Sequence, residues 1–135
     1  MRKLLILLLM SGIAETVLAD KIIYKLSFPE AQAHYVNVEM EVPSGKSEVA
    51  VKMPVWAPGS YLVREFARHV EGFDANSSAG ALSFAKTDKN TWVIKNPSKG
   101  AIKVKYKVYA FELTVRTSFI DESHAYLNGS NIFMY

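Results

Sequence analysis

Alternation of apolar and polar positions is the dominant signal along this chain. Ile22, Tyr24, Leu26 and Phe28 recur at every second place, with Lys25 and Ser27 between them, the spacing that turns one face of a strand toward a core. Pro29 ends that run. Val36, Val38, Met40 and Val42 repeat the pattern against Asn37, Glu39 and Glu41 until Pro43-Ser44-Gly45, and Val49, Val51 and Met53 repeat it again. Three such strands separated by turn residues predict an antiparallel meander.

Residues Pro54 to Tyr61 hold two prolines and a Pro-Gly pair, which predicts a rigid turn, because proline presets one dihedral and glycine accepts the positive one. From Leu62 to Ala75 a helical turn and an irregular strand fit equally: Leu62, Phe66, Val70 and Phe73 are helically spaced, but Gly72 weakens a helix. Asn76 to Gly80 reads as a loop. Leu82 and Phe84 then pair with Trp92 and Ile94 as a hairpin across Thr87-Asp88-Lys89-Asn90. The longest strand signal, Ile102, Val104, Tyr106 and Val108 against Lys103, Lys105, Lys107 and Tyr109, is expected to run on through Phe111, Leu113 and Val115 after a bulge at Ala110. Asn128-Gly129 is a tight-turn signal. The whole is an all-β, antiparallel, sandwich-like domain. Because the sequence stops inside the apolar run Ile132 to Tyr135, the expectation is a domain incomplete at its C-terminus.

Residues 1–19 depart from this pattern. Arg2 and Lys3 precede an apolar run from Leu4, and Val17-Leu18-Ala19 supplies small residues, the layout of a cleaved secretory signal. That leaves a mature domain over residues 20–135, with no membrane attachment after cleavage. Cysteine is absent, so a disulfide framework and a thiolate metal site are excluded. An exported domain without disulfides suits a bacterial periplasm. Hydrophobic residues at 50% and charged residues at 21% describe a folding chain rather than a disordered one. Arg2, Lys3 and Glu15 contribute one unit of the formal charge of +3, and the remainder is too small to argue for nucleic acid. The lysines at 103, 105 and 107 read as a solvated stripe serving solubility and edge protection.

No constellation for catalysis appears. His34, His69 and His124 stand in separate segments, without the pair one helical turn apart that hydrolytic zinc sites use. Ser60 follows Gly59 but has no glycine two places before it, so it reads as a turn residue rather than a nucleophile. No catalytic residue and no metal ligand is assigned. Trp56 and Tyr61 flank the Pro-Gly turn and are candidates for stacking on peptide or carbohydrate.

Three segments, MPVWAPGSYLVREFARHVEGFDA from Met53, DKNTWVI from Asp88 and VKYKVYAFELTVRTSFIDESHAYLNGSNIFMY from Val104, resemble the amino-terminal domain of the glycyl aminopeptidase family of zinc metallopeptidases. The resemblance runs from about Ile22 to Tyr135. It implies a β-rich domain packed on a thermolysin-like catalytic domain, in enzymes that remove amino-terminal glycine or alanine with zinc held by an HExxH motif. That motif is absent from this sequence, so the resemblance places zinc, catalysis and contact with peptide substrate in a missing catalytic domain, which becomes this domain's partner. Arg116, Tyr126 and Asn128, in the last matched segment, are candidates for the substrate entrance or the domain interface. The alternative is a stand-alone exported β-module that binds peptide or sugar through Trp56 and Tyr61.

Overall fold

A computed structural model describes residues 21–135; the signal reading and its cleavage point near Asp20 lie outside them. No α-helix occurs among the described residues. Strands β1 (Ile23–Ser27), β2 (Tyr35–Val42), β8 (Ile102–Tyr109), β4 (Val70–Ser77) and β5 (Gly80–Ala81) lie side by side in one antiparallel sheet. A second sheet sets β7 (Thr91–Lys95) between β3 (Glu48–Lys52) and β6 (Phe84–Lys86), and β9 (Phe119–Ile120) pairs with β10 (Ala125–Tyr126).

In β2 and β8 the period-two pattern places the core as the sequence predicts, whereas at β1 only Tyr24 and Leu26 turn toward it, Ile22 and Phe28 lying exposed beyond the ends of the strand. Val36, Val38, Met40 and Val42 of β2 face inward opposite Val108, Tyr106, Val104 and Ile102 of β8, and all eight are buried. Across the same ladder Glu39 stands opposite Lys105 and Glu41 opposite Lys103. The outer face is therefore a cross-strand charge lattice: Glu39 meets Lys103 at 3.2 Å and Lys105 at 3.4 Å, and Lys107 meets Glu30 at 2.5 Å. The lysine stripe is thus solvated as expected, but it guards no edge, because β8 lies in the middle of its sheet between β2 and β4.

The meander holds only for its first turn. β1 pairs with β2, but β3 leaves for the second sheet and pairs with β7. Alternation fixes which face a strand buries and not which strand it pairs with. Both readings of Leu62 to Ala75 are realised in succession, as a 3-10 turn over Phe66–His69 and then β4. Gly72, at φ +59°, sits where the β4–β8 register shifts between Glu71 and Asp74, a bulge of the kind a left-handed glycine permits. The hairpin forms with Phe84 opposite Ile94 as expected, but Trp92 stands opposite Lys86, and Leu82 lies outside β6 and donates its N–H to Ala75 instead. Phe73 of β4 stacks on Trp92 of β7 at 5.2 Å, so aromatic rings join the two sheets across one shared core.

The expected continuation of β8 does not occur. The strand stops at Tyr109, Phe111 makes a single bridge to Phe119, and Leu113 and Val115 lie exposed in a loop. Asn128-Gly129 is no hairpin turn either: Asn128 caps a 3-10 turn over Gly129–Asn131, its side chain accepting from the Ser130 N–H at 3.0 Å.

After that turn the chain crosses the core. Ile132 and Met134 are fully buried. The Tyr106 hydroxyl donates to the Ile132 carbonyl at 2.8 Å and accepts from the Met134 N–H at 3.0 Å, while Tyr24 donates to the Met134 carbonyl. Tyr135 then exchanges two backbone hydrogen bonds with Lys52, at 2.8 and 2.9 Å, on the free side of β3. Two phenols thus supply the polar partners of an extended segment that has no neighbouring strand at its middle.

Candidate functional site

One end of the domain gathers the loops between strands. The loop of residues 54–65 is tied at its base by the Arg64 N–H donating to the Val55 carbonyl at 2.7 Å. Within it Ser60 donates its N–H to Ala57 at 3.1 Å, and Gly59 stands at φ +78° after Pro58. This is the type II turn that a Pro-Gly pair favours. The Trp56 indole N–H donates to the Ser60 carbonyl and closes the turn. Ala57 and Ser60 are buried beneath it, whereas Tyr61, Leu62 and Val63 stand in solvent.

The second loop, residues 111–118, is held by hydroxyls and amides. Thr117 donates its hydroxyl to the Glu112 carbonyl at 2.5 Å, and Arg116 donates its N–H to Thr114 Oγ1 at 3.1 Å. Buried Ser118 donates to Asn131 Oδ1 at 2.6 Å and accepts from the Asn128 N–H at 2.9 Å. Asn128 and Asn131 in turn donate their side-chain amides to the carbonyls of Val115 and Arg116, each at 3.3 Å. With its backbone pinned at so many points, the loop still leaves Leu113 and Val115 at 65% and 76% exposure. Between the second loop, the end of β8 and the 3-10 turn over Phe66–His69 lies a hollow of about 250 Å3 lined by Phe66, His69, Tyr109, Phe111, Glu112 and Thr117.

Beside this hollow runs a row of rings that contains all three histidines. His69 lies 6.5 Å from Tyr109, Tyr109 lies 6.2 Å from His34, and His34 stacks on Phe111 at 3.7 Å. Phe111 continues to Phe119 at 5.4 Å and Phe119 to His124 at 5.5 Å. The imidazoles form a line, not a cluster. His34 donates its Nδ1–H to the Ile120 carbonyl at 2.7 Å, His69 Nε2 accepts from Arg68 Nε at 3.0 Å, and His124 donates its Nδ1–H at 2.6 Å to Ser123 Oγ, whose own hydrogen goes to Asp121. Among the described residues no three His, Asp or Glu side chains gather where they can hold a metal. Burial, followed by the Arg68 charge, pushes the His69 imidazole down, which favours the neutral, proton-accepting ring that the Arg68 bond requires.

The sequence-predicted site residues fall on this end in two groups. Trp56 and Tyr61 share the first loop, Trp56 at 52% exposure and Tyr61 fully exposed. Among the described residues neither ring stacks on another, and the indole N–H is already committed to Ser60. Arg116 belongs to the second loop, Tyr126 pairs with Phe119 across the β9–β10 ladder, and Asn128 is committed to Val115 and Ser130. Sequence reasoning missed Ser118 and Asn131, the buried hub of the network. Each directly precedes an apolar pair, Phe119-Ile120 and Ile132-Phe133, but that is a weak signal, and their partners lie ten or more residues away.

The Peptidase M61 N-terminal domain family matches residues 23–135. The chain belongs to this family. The M61 domain is also similar in structure to an aminopeptidase N family protein from Idiomarina loihiensis, whose crystal structure superposes with a TM-score of 0.80 at 31% identity. That likeness covers 84% of this chain and 19% of the other, so the M61 domain corresponds to about a fifth of a longer polypeptide. No curated protein matches the chain significantly. The family is one of metallopeptidases, and among the described residues the M61 domain offers no donor set that fits a metal ion.

Proposed function

We propose that this M61 domain is the non-catalytic amino-terminal wall of an exported zinc aminopeptidase that acts on small amino-terminal residues, glycine or alanine. It supports the catalytic part of the polypeptide and bounds one side of the substrate cleft. On this reading residues 1–19 are a secretory signal, residues 20–135 are the mature domain, and the compartment is a bacterial periplasm. Zinc and its ligands belong to the catalytic part.

The observation that carries the proposal is the contrast at the loop end of the domain. Rigidly held backbone in the 54–65 and 111–118 loops presents Leu62, Val63, Leu113 and Val115 to solvent. Apolar side chains ordered in water without a local partner mark a surface that another body covers. Arg116, Tyr126 and Asn128 stand at the same end, as residues of that interface or of the substrate entrance. Trp56 and Tyr61 we assign to the same docking surface rather than to a sugar-binding platform, since no second ring completes such a platform.

The test is metal analysis and hydrolysis of glycyl and alanyl p-nitroanilides by the purified chain. The expected result is less than stoichiometric zinc and no turnover. Equimolar zinc, or turnover with the chain alone, overturns the assignment.

A further inference from the structure

Cations on the outer face of the large sheet are matched by carboxylates, as are Lys95 by Glu48 and Lys25 by Glu41. The cleft between the 3-10 turn and the β6–β7 hairpin follows a different rule. Arg64, Arg68, Lys86 and Lys89 all line this opening of about 510 Å3. The lining includes one carboxylate, Glu65, and Lys89 holds it at 2.7 Å. Among the described residues Arg64, Arg68 and Lys86 have no carboxylate within ion-pair distance.

Arg64 adds a second, independent sign. Its backbone is fixed by the bond to Val55, and its Nε is shielded from solvent without a hydrogen-bond partner. Of its guanidinium nitrogens only Nε is both shielded and unpaired, and the side chain is half-buried, so its terminal nitrogens are left to meet an acceptor from the cleft. Nearby, Lys86 Nζ is held 4.6 Å from the centre of the Trp92 ring, and Arg68 spends its Nε on His69. Val55, Val63 and Ala67 supply apolar lining between the charges.

We infer that this cleft binds the carboxylate of an acidic peptide segment, an Asp or Glu side chain flanked by a small apolar residue. The guanidinium fork of Arg64 takes the carboxylate, because its planar donors match two oxygens at once. Lys86 and Arg68 add charge at the rim, and the apolar lining accepts the neighbouring side chain. The inference does not depend on the identity or activity of the catalytic part.

The test titrates the purified chain at low salt with acetyl-Leu-Glu-Ala-amide, its Gln counterpart, sodium hexanoate and inorganic phosphate, followed by amide and Arg Nε NMR shifts. The Glu peptide is expected to move Arg64 Nε and the Lys86 and Lys89 amides saturably, and to bind at least about tenfold tighter than the Gln peptide. Arg64→Met is expected to weaken binding by about tenfold, and Arg64→Lys by less, since it keeps charge and loses the fork. Should Arg64→Met fail to fold, Arg68→Met with Lys86→Met, at exposed positions, is expected to weaken binding several-fold. Hexanoate binding as tightly as the Glu peptide overturns the inference by assigning the site to small free acids, whereas peptide binding alone supports a side-chain carboxylate. Equal binding of Glu and Gln peptides, equal binding of phosphate, absence of saturable shifts, or unchanged binding in the variants overturns the inference.

Discussion

Removing one oxygen atom in Tyr106→Phe tests how the last buried segment is held. The ring and its packing remain, so the change isolates the hydroxyl. That hydroxyl serves both the Ile132 carbonyl and the Met134 N–H, and the residues concerned are almost wholly buried. Among the described residues neither group has another partner, so two backbone groups are stranded away from water. At about 1–3 kcal/mol for each buried group left unsatisfied, the expected loss is about 3 kcal/mol. With a urea slope of roughly 1.5 kcal/mol per molar for a domain of this size, the unfolding midpoint falls by about 2 M. Tyr24→Phe is the control, since it strands only the Met134 carbonyl and Tyr24 is half-buried; its expected cost is about 1 kcal/mol. Both phenols meet at Met134, so the double variant should depart from the sum by more than about 0.5 kcal/mol. A Tyr106→Phe variant within about 0.5 kcal/mol of the parent would refute the argument and show that water or a local shift satisfies both groups.

Other perturbations probe separate links. Burial raises the Tyr106 phenol well above its ordinary range; a raised folded value means that this stabilisation is full below the unfolded pKa of about 10 and is lost as pH rises above it. Wild type should therefore lose stability in alkali more steeply than Tyr106→Phe, as read by midpoints in an alkaline urea series. Asp121 accepts from the Ser123 hydroxyl and from the N–H groups of Ser123 and His124 at 2.7 to 2.9 Å, which holds its carboxyl down at about 2. Its contribution is full above the unfolded value and lost as pH falls through the folded one; Ser123→Ala should move its NMR titration midpoint upward. Ser118→Ala removes a buried hydroxyl that serves Asn128 and Asn131 and should cost about 2 kcal/mol in thermal or urea unfolding. Gly59→Ala meets no atom within 4 Å but is held at φ +78°, so its expected cost of about 1 kcal/mol is backbone strain alone.

What the sequence disclosed follows from which physics is local. The inward faces of β2 and β8 were legible because alternation is a property of one strand. The Pro58-Gly59 turn and the 84–94 hairpin were legible for the same reason. Pairing of β2 with β8 rather than β3 was not, since it depends on a segment far along the chain. The run through Leu113 and Val115 alternates as a strand does, yet the threonine hydroxyls at 114 and 117 bond their own backbone and favour a loop. At the candidate site, Trp56 and Tyr61 drew notice as aromatic residues flanking a Pro-Gly turn, and Arg116, Tyr126 and Asn128 through motif resemblance. The cationic cleft did not, because Arg64 and Arg68 are brought beside Lys86 and Lys89 only by the meeting of two distant elements.

The position of β8 at the centre of the larger sheet has a consequence for the ribosome. β2 reaches its main partner only when Ile102 to Tyr109 emerge, roughly sixty residues later, which at about 5–20 residues per second is a wait of several seconds. Throughout that interval the nascent chain offers the valines and methionine of β2 with one neighbour, β1, on a single side. Biogenesis of this domain therefore favours a holding chaperone over early compaction, and slowing translation between β3 and β8 should lengthen the aggregation-prone window rather than relieve it.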